Sequence, residues 1–377
     1  MFITSLKMQD FRNLQDTEIK PSMDINVIFG ENAQGKTNLI EGIWLFSGNK
    51  SFRGARDKEL ITLGREKSRM EIEFFSEERE QTAEIIIDVK RRATLNGVEL
   101  KSVSSLSESI HSVVFSPEHL SLIKEGPKNR RNFLNTAILG LYPSYADIFK
   151  KYVRAMQQRN SILKDIGRYN SLYMFLEDYE NILATLGARI ISIRKRYLER
   201  LREYIPEIYE GISGGTETLS VEYFSEFGDS REELLKALEG KRQEDIMNRT
   251  TSVGPHRDDI VFKINGLNAK NFGSQGQQRS IVLALKMAEA ELINAVTGEK
   301  PIILLDDVLS ELDEKRQNYL LNNIRDRQVF ITCCENSIES KMKKGKSFKI
   351  ANGRIEEKSV DVKSKELCLD VTKPLIE

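Results

Sequence analysis

Apolar and polar residues alternate over residues 2–11, 70–75 and 84–89, the period-two pattern of half-buried strands. Asn96-Gly97 supplies a two-residue hairpin turn ahead of Val98-Glu99-Leu100, and Asn265-Gly266 repeats the signal after Val261-Phe262-Lys263-Ile264. Residues 24–29, 111–115 and 219–224 read as further strands, the second ended by Pro117. In the middle of the chain the period changes. Phe175, Tyr179, Ile182, Leu186, Ile190, Ile193, Tyr197, Leu201 and Tyr204 recur at spacings of three and four, one apolar stripe along a helix. About 30 residues at 1.5 Å each make ~45 Å, long for a single compact domain. An earlier helical stretch near 145–164 is expected to pack against it, and another helix follows near 231–238. The stripe needs a partner face, yet strands lie on either side in sequence. The pattern predicts a helical lobe that projects like an arm, with a large helical subdomain as the alternative. No internal repeat is evident, and the last twenty or so residues are charged and expected to be poorly ordered.

Composition narrows the class without fixing it. At 377 residues the length suggests roughly two to three domains. Residues are 40% hydrophobic and 30% charged, and no apolar run is long enough to span a bilayer. Residues 1–7 lack a basic segment followed by an apolar block, so no secretory signal is expected. Three cysteines, Cys333, Cys334 and Cys368, have no metal-ligand spacing, which suits a reduced, cytoplasmic protein. Lys plus Arg and Asp plus Glu number 57 each, so any nucleic-acid site must come from local segregation of charge. Candidate clusters are 50–56, 124–131, and a helical group of Arg189, Arg194, Lys195, Arg196, Arg200 and Arg202, each more simply read as a solvated face.

The chemistry lies in two places. Gly30-Glu31-Asn32-Ala33-Gln34-Gly35-Lys36-Thr37 fits G-x-x-x-x-G-K-[ST] at every fixed position, between a strand at 24–29 and a helix at 38–46. Backbone N–H groups in such a loop make a concave anion site, reinforced by the positive end of the helix dipole. Lys36 is expected to reach the β- and γ-phosphates of a nucleoside triphosphate, and the Thr37 hydroxyl to hold Mg²⁺. Pro301-Ile302-Ile303-Leu304-Leu305-Asp306-Asp307 is a buried strand ending in two carboxylates, as a Walker B element requires. Asp306 is placed to hold Mg²⁺ opposite Thr37, and Asp307 to polarise an attacking water.

Ser274-Gln275-Gly276-Gln277-Gln278-Arg279 opens an apolar-periodic helix, and Ser310-Glu311-Leu312-Asp313 follows Walker B. These resemble the signature motif and D-loop of ATP-binding-cassette ATPases. That resemblance implies that Ser274, Gly276 and Gln277 of one chain contact the γ-phosphate on the phosphate loop of another, in an ATP-dependent head-to-tail homodimer. The split of the two halves by a helical lobe resembles SMC-type heads, in which Arg12 and Asn13 would contact the nucleotide. Phe11-Arg12-Asn13, Phe115-Ser116-Pro117-Glu118-His119-Leu120, Gln158-Arg159-Asn160 and Gly254-Pro255-His256-Arg257-Asp258-Asp259 occur in that order, together with the signature and the segment 304–313. The whole set resembles the bacterial RecF family. His256 itself, with no nucleophile or metal partner in sequence, reads as a turn residue. No switch histidine follows Val329-Phe330-Ile331-Thr332, which leaves Thr332 or a neighbour to sense the γ-phosphate.

The resemblance implies an α/β fold, an ABC/SMC-type P-loop ATPase head with an inserted α-helical, arm-like lobe. The head would comprise 1–115 and 246–355, the lobe 116–245, and a charged tail 356–377. It implies a weak, DNA-stimulated ATPase with ATP and Mg²⁺ as cofactors, clamping double-stranded DNA near single-strand gap junctions. RecR is the implied partner, with RecO and RecA in the same gap-repair pathway. The alternative is a P-loop ATPase or kinase acting on a small molecule without DNA. A lid, an acceptor pocket and the [NT]-K-x-D guanine motif are not seen in the sequence.

Overall fold

The structure is a computed structural model and describes residues 1–324, 326–334 and 345–358. The expectations for the end of the chain beyond 358, including Cys368, lie outside the described residues. Strands β1 (Phe2–Gln9), β2 (Thr17–Ile19) and β3 (Ile25–Phe29) lead into helix α1 (Lys36–Leu45). Strands β4 (Ser68–Ser76), β5 (Arg79–Ile87), β6 (Arg91–Leu95), β7 (Val98–Glu99) and β8 (Ser112–Phe115) follow. A helical stretch comprises α2 (Ser121–Lys124), α3 (Pro127–Leu139), α4 (Ser144–Asp165), α5 (Tyr173–Arg202) and α6 (Ile205–Ser213). Next come β9 (Leu219–Phe224), α7 (Arg231–Gly240), α8 (Arg242–Asn248), β10 (Asp259–Ile264), β11 (Leu267–Asn268), α9 (Ala269–Phe272) and α10 (Gln275–Thr297). The described chain closes with β12 (Ile302–Leu305), α11 (Glu314–Asn323), β13 (Val329–Cys333), β14 (Gly345–Ala351) and β15 (Arg354–Lys358).

The buried apolar runs meet in one sheet, ordered β15-β14-β3-β13-β12-β8, in which every pairing but β14 with β15 is parallel. Successive side chains of these strands enter two different cores. Val27, Phe29, Val113, Phe115, Ile303, Leu305 and Ile331 face one core, shared with α5 and α10. Ile28, Val114, Ile302, Leu304, Phe330 and Phe348 face the other, shared with α1 and β1, β4 and β5. Burial on both faces is why these strands show no alternation in sequence. The alternating strands do alternate in space, forming an antiparallel sheet ordered β2-β1-β4-β5-β6-β7 with Asn96-Gly97 at its last turn. Because the central strands are parallel, the ends of β3, β8, β12 and β13 open on one edge, where ligands of such sheets bind.

The long helix α5 has 30 residues, as its stripe implied. Its buried seam differs from that stripe, however. Phe175 and Ile182 are exposed, while Glu180, Gly187 and Arg194 are buried. The polar members are inside because each meets a prepared partner. Ile190, Tyr197 and Leu201 share a core with Ile281 and Leu285 of α10, so the root of the lobe is continuous with the head. Leu163, Ile166 and Leu176 form a separate small core towards the α4–α5 turn. Among the described residues no helix is long and apolar enough to cross a membrane.

Two motifs without an assigned role tie the lobe to the segment that leads into β10. Arg159 of α4 is fully buried and bonds Asp245 at 2.7 Å, Glu180 at 3.0 Å and the Thr251 hydroxyl at 3.0 Å. Asn160 accepts from both the Thr251 backbone N–H and its hydroxyl. Arg194 of α5 donates to the Pro255 carbonyl at 2.7 Å and to Asn135 at 2.8 Å. His256 has both ring nitrogens engaged, by the Tyr152 hydroxyl and the Thr251 carbonyl, and burial lowers its pKa to about 4. It is a neutral turn residue. Arg159→Met should destabilise the chain by about 3–5 kcal/mol in urea unfolding, because it leaves the buried Asp245 carboxylate without its cation and Glu180 with Arg242 alone. A loss below about 1 kcal/mol would show that the network contributes little.

Candidate nucleotide site

The loop after β3 is built on close approaches that only glycine permits. A Cβ at Gly30 (φ 153°) would lie 2.3 Å from the Ile350 carbonyl oxygen of β14. One at Gly35 (φ 117°) would lie 2.7 Å from the Leu14 side chain. Between them, Glu31 lends its carbonyl to Lys36, Asn32 accepts from the Cys334 thiol, and Ala33 takes a left-handed φ of 63°. Gln34 accepts from the Asn352 backbone N–H at 2.5 Å, fastening the loop to the turn between β14 and β15. Helix α1 begins at Lys36 with no side-chain cap and no acidic residue in its first turn. Its dipole therefore faces the loop unneutralised.

Lys36 is 8% exposed, and its Nζ donates to the carbonyls of Gly30 at 2.6 Å and Glu31 at 2.8 Å. Among the described residues it has no carboxylate partner. A buried ammonium held only by neutral carbonyls fits a site completed by an anion.

Across the loop, the Thr37 hydroxyl donates to Asp306 Oδ1 at 3.0 Å, and the Thr332 hydroxyl donates to the same oxygen at 2.9 Å. Burial pushes the Asp306 carboxyl above its usual range, and the two hydroxyls pull it partly back. Asp307 is left-handed (φ 52°), its backbone N–H bonded to Thr332 Oγ1 at 2.8 Å and its Oδ1 accepting from Ser310 at 3.2 Å. Among the described residues no three His, Cys, Asp or Glu cluster as a metal cage. One hydroxyl and one carboxylate suit Mg²⁺, which keeps waters and phosphate oxygens in the rest of its shell.

Asn13 and Arg12 divide. Asn13 donates to the Ala33 carbonyl at 3.2 Å and accepts from Asn38, so it lies against the loop. Arg12 instead clasps Glu41 of α1 through Nε at 2.9 Å and Nη2 at 3.0 Å, and donates to the Glu59 carbonyl. Glu41 is fully buried, and Arg12 neutralises it beneath the phosphate-loop helix.

The signature residues stand apart. Ser274 caps α10, accepting from Gln277 N–H at 3.2 Å, while its own N–H donates to Gln277 Oε1 at 2.7 Å. The Gln277 amide also donates to Glu217 at 2.7 Å. Ser274 and Gln275 are exposed, and a Cβ at Gly276 would touch the Arg316 guanidinium at 3.7 Å, an ordinary contact, so the helix start is accessible and flanked by a cation. Arg279 grips Glu311, and Arg316 bonds Ser280, which ties α10 to the D-loop segment. Among the described residues no hydrogen bond or ion pair joins Ser274, Gly276 or Gln277 to the loop at 30–37.

The basic clusters were legible only as charge. Arg130 is buried and forms a two-pronged pair with Asp259, and Arg194 is buried as described. Arg202 donates to the Val221 carbonyl, and Lys195 pairs with Asp229. Sequence reasoning missed the Thr332 bridge, the Arg12–Glu41 pair and the clamp of β14–β15 on the loop. Only the last had a local signal, Asn352-Gly353, the same turn dipeptide read elsewhere in the chain.

Residues 2–356 match the family described as RecF/RecN/SMC N terminal domain. The Smc head domain of Pyrococcus furiosus, solved with an extended coiled coil and the C-terminal domain of ScpA, shares the fold at 16% identity and a TM-score of 0.55, covering 95% of this chain and 96% of that one. Fold and site together define an ABC/SMC-type P-loop ATPase head. The likeness is far closer to one branch. The DNA replication and repair protein RecF of Acetivibrio thermocellus is 37% identical over 90% of this chain and 94% of its own length. A structure described as the recombination mediator protein RecF-ATP in the RecFOR pathway is 34% identical with a TM-score of 0.88, covering 95% of this chain and 98% of that one. The chain belongs to the RecF family.

Proposed function

We propose that this chain is an ATP-switched clamp on duplex DNA that acts in recombinational gap repair. The observation that carries the reading is the division of the site. One chain holds the phosphate loop and Walker B carboxylates on one edge, and a self-capped signature helix elsewhere. Family membership makes the small-molecule kinase the weaker reading.

In this reading Lys36 and the loop amides of residues 30–37 hold the ATP phosphates, with Asn13 against the loop. Arg12 supports the site through Glu41. Thr37 and Asp306 would hold Mg²⁺, which when bound would neutralise negative charge on the phosphates. Asp307 orients the attacking water. Ser274, Gly276 and Gln277 of a second copy face the γ-phosphate, so two chains close over two nucleotides. Closure is stable only while the bridging phosphate is present, which makes slow hydrolysis a release step. The protein works in the cytoplasm with RecR, and with RecO in loading RecA at gaps.

Fluorescence anisotropy on a short labelled duplex tests this. Affinity should rise about tenfold or more with ATP over ADP, show little sequence preference, and fall steeply with added salt. Binding that ignores the nucleotide would contradict the switch.

A further inference from the structure

Strand β13 runs between β3 and β12, so its end brings Thr332 to both Walker B aspartates. Thr332 is 1% exposed. Its hydroxyl donates to Asp306 Oδ1 at 2.9 Å and accepts from the Asp307 backbone N–H at 2.8 Å. A hydroxyl has one proton to give. In this geometry it is already given, and the expectation that Thr332 reads the γ-phosphate loses its donor.

A different role follows from the same contacts. Thr37 and Thr332 both donate to one oxygen of Asp306. Thr37 can offer a lone pair to a metal while its proton stays on Asp306, and Thr332 supplies a second hydroxyl on the same oxygen that has no part in the phosphate loop. Asp307 meanwhile sits at φ 52°, a backbone region that a non-glycine residue holds only when its surroundings enforce it. The Thr332 oxygen supplies part of that enforcement through the Asp307 N–H. One buried hydroxyl thus touches the side chain of the first aspartate and the main chain of the second.

We propose that Thr332 is a positioning residue for ATP hydrolysis, its hydroxyl holding Asp306 and Asp307 in fixed register. The proposal rests on the ATP site described above. It separates two quantities. Phosphate binding depends on Lys36 and the loop amides, which Thr332 does not touch. Metal binding and water orientation depend on the two aspartates, which it does.

The test uses the full-length chain with Thr332→Val, which keeps the shape and removes the hydroxyl, and Thr332→Ser, which keeps the hydroxyl. A fluorescent ATP analogue is titrated across a Mg²⁺ series, and steady-state turnover is measured alongside. With Val, nucleotide affinity at saturating Mg²⁺ should stay within about threefold of wild type, since the phosphate contacts are intact. The Mg²⁺ concentration for half-maximal binding enhancement should rise about tenfold, and kcat should fall about 10–100-fold with little change in KM. Ser should restore both readouts to within about threefold. A valine variant with wild-type Mg²⁺ dependence and turnover overturns the proposal, as does a serine variant as impaired as valine. If the valine protein does not fold, Thr332→Cys replaces it, and activity no lower than that of serine overturns the proposal. Wild-type protein that binds no ATP would instead sink the underlying reading.

Discussion

Lys36→Met is expected to weaken ATP binding by about 100-fold or more while leaving the fold intact. Truncating one partner of a buried, hydrogen-bonded charge pair costs roughly 2–5 kcal/mol, or about 30-fold to several thousand-fold in affinity. Lys36 belongs in the upper part of that range because its ammonium is buried and, among the described residues, meets only carbonyls. The same geometry predicts the stability outcome. Removing an ammonium that is desolvated without a counter-ion relieves a cost, so the melting temperature of the ligand-free variant should be unchanged or slightly raised. Calorimetric titration with ATP and Mg²⁺ and a thermal melt read both effects. An affinity within threefold of wild type would remove Lys36 from the phosphate site.

Ser274→Arg acts at the other half of the split site. Ser274 is exposed and no bond links it to the loop of its own chain, so the monomer should bind ATP within about twofold of wild type. Losing the helix cap should cost about 1 kcal/mol of stability, too little to unfold a protein of this size. The new side chain would crowd the exposed start of α10, where another chain must approach. Dimerisation in ATP is therefore expected to weaken by about 100-fold or more, and ATP-dependent duplex binding to be lost with it, as when one bulky charge enters a close-packed contact. Wild-type dimerisation by this variant would sink the signature assignment.

What the sequence revealed was whatever depends on neighbouring residues. The phosphate loop was legible because its glycines meet a local backbone demand, and Walker B because a buried strand ends abruptly in two carboxylates. The capping box of Ser274 and Gln277 is likewise local. Contacts between distant segments were not legible. Arg12 reads as a loop cation until Glu41 is seen beneath it. Arg194 reads as part of a basic helix face until Asn135 and the Pro255 carbonyl are seen around it. Charge at helical spacing does not say which side faces water, and buried arginines look like surface ones until their acceptors are placed. The seam of α5 shifted from its apolar stripe for the same reason, since Glu180 and Arg194 are interior residues with prepared partners.

The most direct test of the shared-site clamp is sedimentation velocity of Asp307→Asn with and without ATP and Mg²⁺. Among the described residues Asp307 makes no hydrogen bond to the phosphate loop, so this variant should bind nucleotide yet hydrolyse it too slowly to escape the triphosphate state. A shift from monomer to dimer that requires ATP is expected. A species that stays monomeric under saturating ATP would contradict it, leaving a nucleotide-binding head without the switch.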